Sequence, residues 1–267
     1  MVNRPCVAVI LAAGRGTRMQ KTADVELTPA QAAAADAGLK ALVPIHGRPF
    51  LDWVLDELAA ADFDDVCLVV SPDSPLCHAY ARAGPPRVRT AVQREPRGAA
   101  DALLAAEPVV GDADMVVLNG DNLYPAAVLH LVRELDGPGL AGFEPGTLVR
   151  ESNIPPERVA AFALIREDDG VLAEIVEKPS PERAAAMAGA PVSMTCWRFD
   201  PSIFDACRDV APSERGELEL PDAVALAIAR GTRFRVVPVR AGVLDLSRRE
   251  DIPVVERLLA GRETGDG

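Results

Sequence analysis

Three short segments of this chain carry side chains of the type and spacing needed to handle a polyphosphate. In Leu11-Ala12-Ala13-Gly14-Arg15-Gly16-Thr17-Arg18-Met19, two glycines follow directly on the apolar run 7–11. Glycines at a strand exit let the backbone turn sharply and lay its N–H groups on phosphate oxygens, and Arg18 adds a multidentate cation. In Met115-Val-Val-Leu-Asn-Gly120-Asp121, a carboxylate stands just past a buried run, at the strand end where open α/β sheets gather ligands. Asp121 there offers the hard oxygen donors that magnesium takes. Gln93 and Gly98 lie between a further strand and a helix start, where a flat ligand can approach closely and an amide can pair with the edge of a base.

Two common nucleotide sites are disfavoured. Met19 stands where a dinucleotide fingerprint needs its third glycine, and no Gly-Lys-Ser/Thr follows the loop as a Walker A motif requires. The formal net charge of -12, from 40 acidic and 28 basic side chains, argues against nucleic acid as partner. It leaves room for a phosphorylated small molecule held by a few local cations. Five scattered cysteines without a C-x-x-C spacing suggest neither a disulfide framework nor a zinc site, and cytoplasmic localisation is expected. No apolar run approaches the ~20 residues of a membrane helix, so no membrane association is expected. His46, His78 and His130 are too dispersed for a triad and are expected to be structural.

The elements that must position these residues alternate. Strands are expected at 7–11, 66–70, 88–92 and 115–118, and helices at 49–61, 98–106 and 125–135. Strands apolar on both faces, separated by amphipathic helices, predict an α/β fold: a Rossmann-like, mostly parallel sheet with helices on both faces. After about residue 139 the pattern loosens, with strands expected at 160–165, 172–177, 192–199 and 234–239 and helices at 181–187 and 220–229. With 49% apolar residues, 1–260 is expected to be a single domain. Its first half, to about 140, would bind nucleotide and 141–260 the acceptor; 261–267 is expected to fray. Thr28-Pro-Ala-Gln31 has capping-box spacing with proline at the first helical position, which predicts an inserted helix over 28–37. Trp53 fits a core helix face, and Trp197 either joins the core or lines the acceptor pocket.

The loop 11–19, taken with Lys40-Ala-Leu-Val-Pro44-Ile-His-Gly47-Arg-Pro49, resembles the signature of sugar-1-phosphate nucleotidylyltransferases, the glucose-1-phosphate thymidylyl- and uridylyltransferases. The resemblance spans about residues 6 to 255 and implies the nucleotide-diphospho-sugar transferase fold. It implies that Arg18 and Lys40 grip a nucleoside triphosphate and stabilise charge during transfer. It further implies that loop 11–17, Gln93, Gly98 and Asp121 bind the nucleotide, with a pyrimidine (UTP or dTTP) favoured. Mg2+ would lie between Asp121 and Asp245, the latter in Val243-Leu-Asp245-Leu-Ser. Glu177 and Lys178, in Glu-Lys-Pro, would hold the sugar phosphate. Arg215-Gly-Glu217-Leu-Glu219-Leu-Pro-Asp222 is similar to another family stretch and is expected to be mainly structural.

Departures concern the acceptor. Ala163 stands where the family commonly has glycine, and Ser193-Met194-Thr195 where it has Asn-x-Gly. These positions are expected to touch the acceptor, which need not be glucose 1-phosphate: a cyclitol, heptose or amino-alcohol phosphate is the alternative. A binding regulator that has lost catalysis is the other. The unfamiliar stretch 148–155 is expected to contribute to selectivity. No hexapeptide-repeat extension is expected, and a homodimer is the assembly symmetry favours.

Overall fold

A computed structural model describes residues 5–80, 85–159 and 162–263. These form a nine-stranded sheet in the spatial order Arg87–Val92, Asp65–Val70, Cys6–Leu11, Asp114–Asn119, Val192–Phe199, Gly139–Phe143, Arg235–Val239, Val171–Val176 and Ala163–Asp168. The first four strands are parallel to one another, as the repeated strand–helix alternation requires. Val192–Phe199 then runs antiparallel to Asp114–Asn119, and parallel pairing returns only between Gly139–Phe143 and Arg235–Val239. The parallel character expected of the sheet therefore belongs mainly to its first half, and the whole is a mixed α/β sheet.

Alternation along the strands decides which helices cover which face. Ala8, Ile10, Val66, Leu68, Val116 and Leu118 pack against residues of helices Phe50–Ala60, Ala126–Arg133 and Asp251–Glu263. Their neighbours Val7, Val9, Cys67, Val69, Met115 and Val117 point the other way, toward helices Ala99–Val110, Ile203–Asp209 and Leu220–Ala229. Trp197 belongs to this second core: it stacks on Phe199 with ring centroids 5.6 Å apart and meets the edge of Phe234 at 6.0 Å. Of the two places open to it, it takes the core.

The expected strand 160–165 is observed as Ala163–Asp168; residues 160 and 161 lie outside the described residues, as does 264–267 of the tail. The inserted helix is Pro29–Asp36, and both halves of its capping box are made. The Thr28 hydroxyl accepts from Gln31 N at 3.3 Å, and Gln31 Oε1 accepts from Thr28 N at 3.0 Å. Gln31 Nε2 also donates to Pro44 O and to Glu256 Oε1, which seats the insert on the C-terminal helix. Thr28→Ala removes one half of the box, a loss of about 1 kcal/mol. Amide hydrogen exchange over 29–36 should accelerate about fivefold at that magnitude; unchanged exchange would show that the cap does not hold the insert.

Candidate active site

The glycine loop leaves strand Cys6–Leu11 under backbone control. Ala12 N donates to Val69 O at 2.8 Å, and Gly120 N to Leu11 O at 2.9 Å, so the loop starts between the ends of two neighbouring strands. Gly16 has φ 63°, and a Cβ added there would lie 2.2 Å from Gly38 O. Gly38 has φ 70°, and its Cβ would lie 2.6 Å from Arg15 O. The inserted segment thus returns backbone-to-backbone onto the loop, at two positions where no side chain fits. Two residues later Lys40 opens the 3-10 turn Lys40–Leu42, and its Nζ meets Asp121 Oδ2 at 2.7 Å. Arg249 fastens the arrangement from outside: its Nε donates to Met19 O at 2.9 Å while its guanidinium pairs with Asp36. One buried arginine therefore ties the end of the loop to the end of the insert.

Asp121 and Asp245 are brought together by a short antiparallel ladder. Asn122–Leu123 pairs with Leu244–Asp245, placing Asp245 opposite Asn122, and Leu246 N donates to Asp121 O at 2.8 Å. Asp245 is 2% exposed. Its backbone is clasped by the Asn153 amide, which accepts from Asp245 N and donates to Asp245 O, both at 2.7 Å. Its carboxylate accepts from Ser247 Oγ at 2.6 Å and pairs with Arg158, which also reaches Asp251 at 2.6 Å. Burial first, and the charge of Asp121 second, push Asp245 up to about 6, against the pull of Ser247 and Arg158. Two convergent carboxylates that repel each other, in a site of hard oxygen donors, suit a divalent cation that fills its remaining positions with phosphate and water. Among the described residues no cluster of three or more His, Cys, Asp or Glu forms a fuller cage.

The candidate catalytic, nucleotide, acceptor and metal residues line a single cleft of about 820 Å³: loop 11–18, Lys40, Gln93, Gly98, Asp121, Ala163, Glu177, Lys178, Ser193, Thr195 and Asp245. A register break in strand Val192–Phe199 between Ser193 and Trp197, with Thr195 at φ 59°, turns that residue's backbone out of the ladder at the cleft wall. Lys178 also takes a left-handed conformation, φ 44°. Burial raises the pKa of Glu177, with Lys178 opposing and Glu219 adding to the rise. Arg215, Gly216 and Glu217, in the stretch expected to be mainly structural, also line the cleft. The stretch 148–155 does not line it; Asn153 there buttresses Asp245 instead. Arg158 was not singled out from sequence, because nothing in Pro-Glu-Arg-Val marks a residue whose partners lie 87 and 93 positions away. His46 bonds Glu256 O and His130 faces Asp62, and neither lines the cleft. The side chain of His78 lies outside the described residues.

A glycine loop, two cations and a carboxylate pair gathered at the ends of the central strands of a mixed α/β sheet agree with an enzyme that transfers a nucleotidyl group. Residues 7–242 match the nucleotidyl transferase family, and the chain belongs to it. The resemblance to sugar-1-phosphate nucleotidylyltransferases holds at full length. A UTP–glucose-1-phosphate uridylyltransferase of Haloferax volcanii is 30% identical over 263 residues, covering 96% of this chain and 98% of that protein. A glucose-1-phosphate thymidylyltransferase of Streptomyces griseus is 28% identical over 94% of this chain, which spans 65% of that relative's length. Among solved structures, a UDP-glucose pyrophosphorylase bound to UDP-glucose shares the fold with a TM-score of 0.75 at 18% identity, over 96% of this chain and 98% of that one. No helix among the described residues is long and apolar enough to cross a membrane.

Glu177 gives a stability test of the site. Its folded pKa lies above 4.5, so the ionised form is disfavoured by burial, fully so above the folded pKa and not at all below 4.5. Glu177→Gln should therefore raise the melting temperature at pH 7 to 8, with the gain shrinking as pH falls toward 4.5. A variant less stable than the parent at pH 8 would show that Glu177 is not held at the expense of stability.

Proposed function

We propose that this protein transfers the nucleotidyl group of a pyrimidine nucleoside triphosphate, UTP or dTTP, to a sugar 1-phosphate, giving an NDP-sugar and pyrophosphate. The observation that supports it best is the convergence of the glycine loop, Lys40, Asp121 and Asp245 on one cleft, with Lys40 Nζ 2.7 Å from Asp121. An oxygen of the acceptor phosphate attacks the α-phosphorus, a new P–O bond forms, and the bond to the β-phosphate oxygen breaks with pyrophosphate leaving opposite. A phosphate is already anionic near neutral pH, so no general base is required, and catalysis reduces to positioning and charge stabilisation. The loop N–H groups and Arg18 hold the β- and γ-phosphates. Lys40 donates to the phosphate that gains charge. Glu177 orients acceptor hydroxyls, and Lys178 with Arg215 holds the nucleophilic phosphate.

Asp121 and Asp245 would hold Mg2+, which when bound supplies charge neutralisation and Lewis-acid polarisation of the phosphates. Ala163, Ser193 and Thr195 face the acceptor end of the cleft, and their small or hydroxylated side chains favour a phosphate other than glucose 1-phosphate as a second reading. A cytoplasmic homodimer, with light scattering as its check, completes the proposal.

The function is tested by a pyrophosphate-release screen of four nucleoside triphosphates against sugar 1-phosphates and cyclitol, heptose and amino-alcohol phosphates, with magnesium. UTP or dTTP with one acceptor should turn over; binding without release in every combination would identify a regulator instead. Lys40→Ala and Asp121→Asn should each lower kcat by about 10²–10³, the scale for removing a group that stabilises transition-state charge, while the circular dichroism spectrum stays unchanged. Near-normal turnover in either variant would remove that residue from the mechanism.

A further inference from the structure

Gln93 follows strand Arg87–Val92 and is 6% exposed, at the wall of the cleft. Its side-chain nitrogen donates to Gly98 O at 3.0 Å and to Asp101 Oδ2 at 2.9 Å. An amide nitrogen carries two hydrogens, and both are engaged. Both partners here accept only. Gly98 offers a carbonyl, and the second oxygen of Asp101 already takes bonds from Arg97 Nε at 3.1 Å and from its terminal nitrogen at 2.5 Å. Turning the amide over would set Gln93 Oε1 against two acceptors, so its orientation is fixed by the chemistry of its neighbours. Among the described residues no hydrogen bond reaches Gln93 Oε1, and that oxygen is not among the buried polar atoms lacking a partner. It is left with access to the cleft as an acceptor.

We propose that Asp101 is a specificity-determining positioning residue: it locks the Gln93 amide so that a carbonyl oxygen faces the nucleobase, selecting uracil or thymine over cytosine. The inference rests on the nucleotidyl-transfer reading above. Uracil and thymine carry an N–H at N3 that such an oxygen can accept, whereas N3 of cytosine is itself an acceptor. A site built to make one hydrogen bond rejects an analogue that cannot make it far more strongly than an apolar wall does. Asp101 is 8% exposed in the first turn of helix Ala99–Val110, where a carboxylate also offsets the helix dipole. That second role contributes to stability without distinguishing bases, so the base preference is the readout.

Asp101→Asn keeps the shape and changes the polarity. Arg97 retains the side-chain oxygen of the variant and the new amino group faces the Gln93 N–H groups, so only Gly98 O still holds the parent orientation and the turned amide, with its N–H groups toward the cleft, becomes populated. The ratio of kcat/KM for UTP over CTP should fall at least tenfold, mainly through nucleotide KM, with the acceptor KM unchanged. A ratio within twofold of the parent's, or an equal loss with both nucleotides, overturns the proposal. A second measurement uses the unaltered protein. Calorimetry should find N3-methyl-UTP bound at least tenfold more weakly than UTP, and equal affinity overturns the proposal even if the variant fails to fold. Were the parent to release no pyrophosphate from any triphosphate while still binding UTP in preference to CTP, the transfer reading would fail and this assignment would stand. An active parent with an unaltered ratio in Asp101→Asn would leave the transfer reading standing and remove Asp101 from base selection.

Discussion

Holding two repelling carboxylates at one point is the constraint on which the rest of this structure depends. Asp121 and Asp245 come from distant parts of the chain, and the charge of one helps raise the pKa of the other. Side-chain attraction cannot bring them together, so backbone does it. The pairing of Leu123 with Leu244 and the bond from Leu246 N to Asp121 O set the two segments side by side regardless of charge. Cations then offset part of the repulsion: Lys40 on Asp121 and Arg158 on Asp245. A buried charge with a partner is far cheaper to keep than one without, so Ser247 and Arg158 hold the Asp245 carboxylate while Asn153 fixes its backbone.

The same constraint explains how the lysine can tolerate an insert. A loop that ends in Arg18 and a lysine more than twenty residues later would meet only if the intervening chain came back to its starting point. Gly16 and Gly38 provide that return by direct backbone contact, and Arg249 closes it by joining Met19 to Asp36. Capping of the insert by Thr28 and Gln31, and the bonds of Gln31 to Pro44 and Glu256, keep the helix from swinging. The insert is thereby part of the scaffold that sets the Lys40–Asp121 distance.

Legibility of the sequence followed the range over which each signal acts. The parallel half was readable because its strands are apolar on both faces and its helices amphipathic, and the capping box of Pro29–Asp36 is a four-residue pattern. Strand Gly139–Phe143 was not readable. Gly139 and Gly142 weaken any strand signal, yet both are required, since a Cβ on either would fall within 3 Å of strand Arg235–Val239. The fold at large and the clustering of the site residues were accessible through motifs; the partners of those residues were not. Arg158, Asn153 and Arg249 act through contacts across long sequence separations, and no local pattern encodes such a pairing.

The two halves of the sheet divide the work by rigidity of register. In the parallel half, the bonds of Ala12 N and Gly120 N to the ends of neighbouring strands fix where the glycine loop begins, so this part of the cleft wall is set by the ladder itself. In the antiparallel half, the break in Val192–Phe199 and the left-handed residues Lys178 and Thr195 set the cleft wall by local departures from the ladder. A departure of that kind can be re-aimed by one or two substitutions without disturbing either core, because Trp197 and Phe199 beyond the break remain stacked below the sheet. The glycine-loop end of the cleft is thus bound to the fold, and the end lined by Lys178, Ser193 and Thr195 is the part that sequence change can most readily alter.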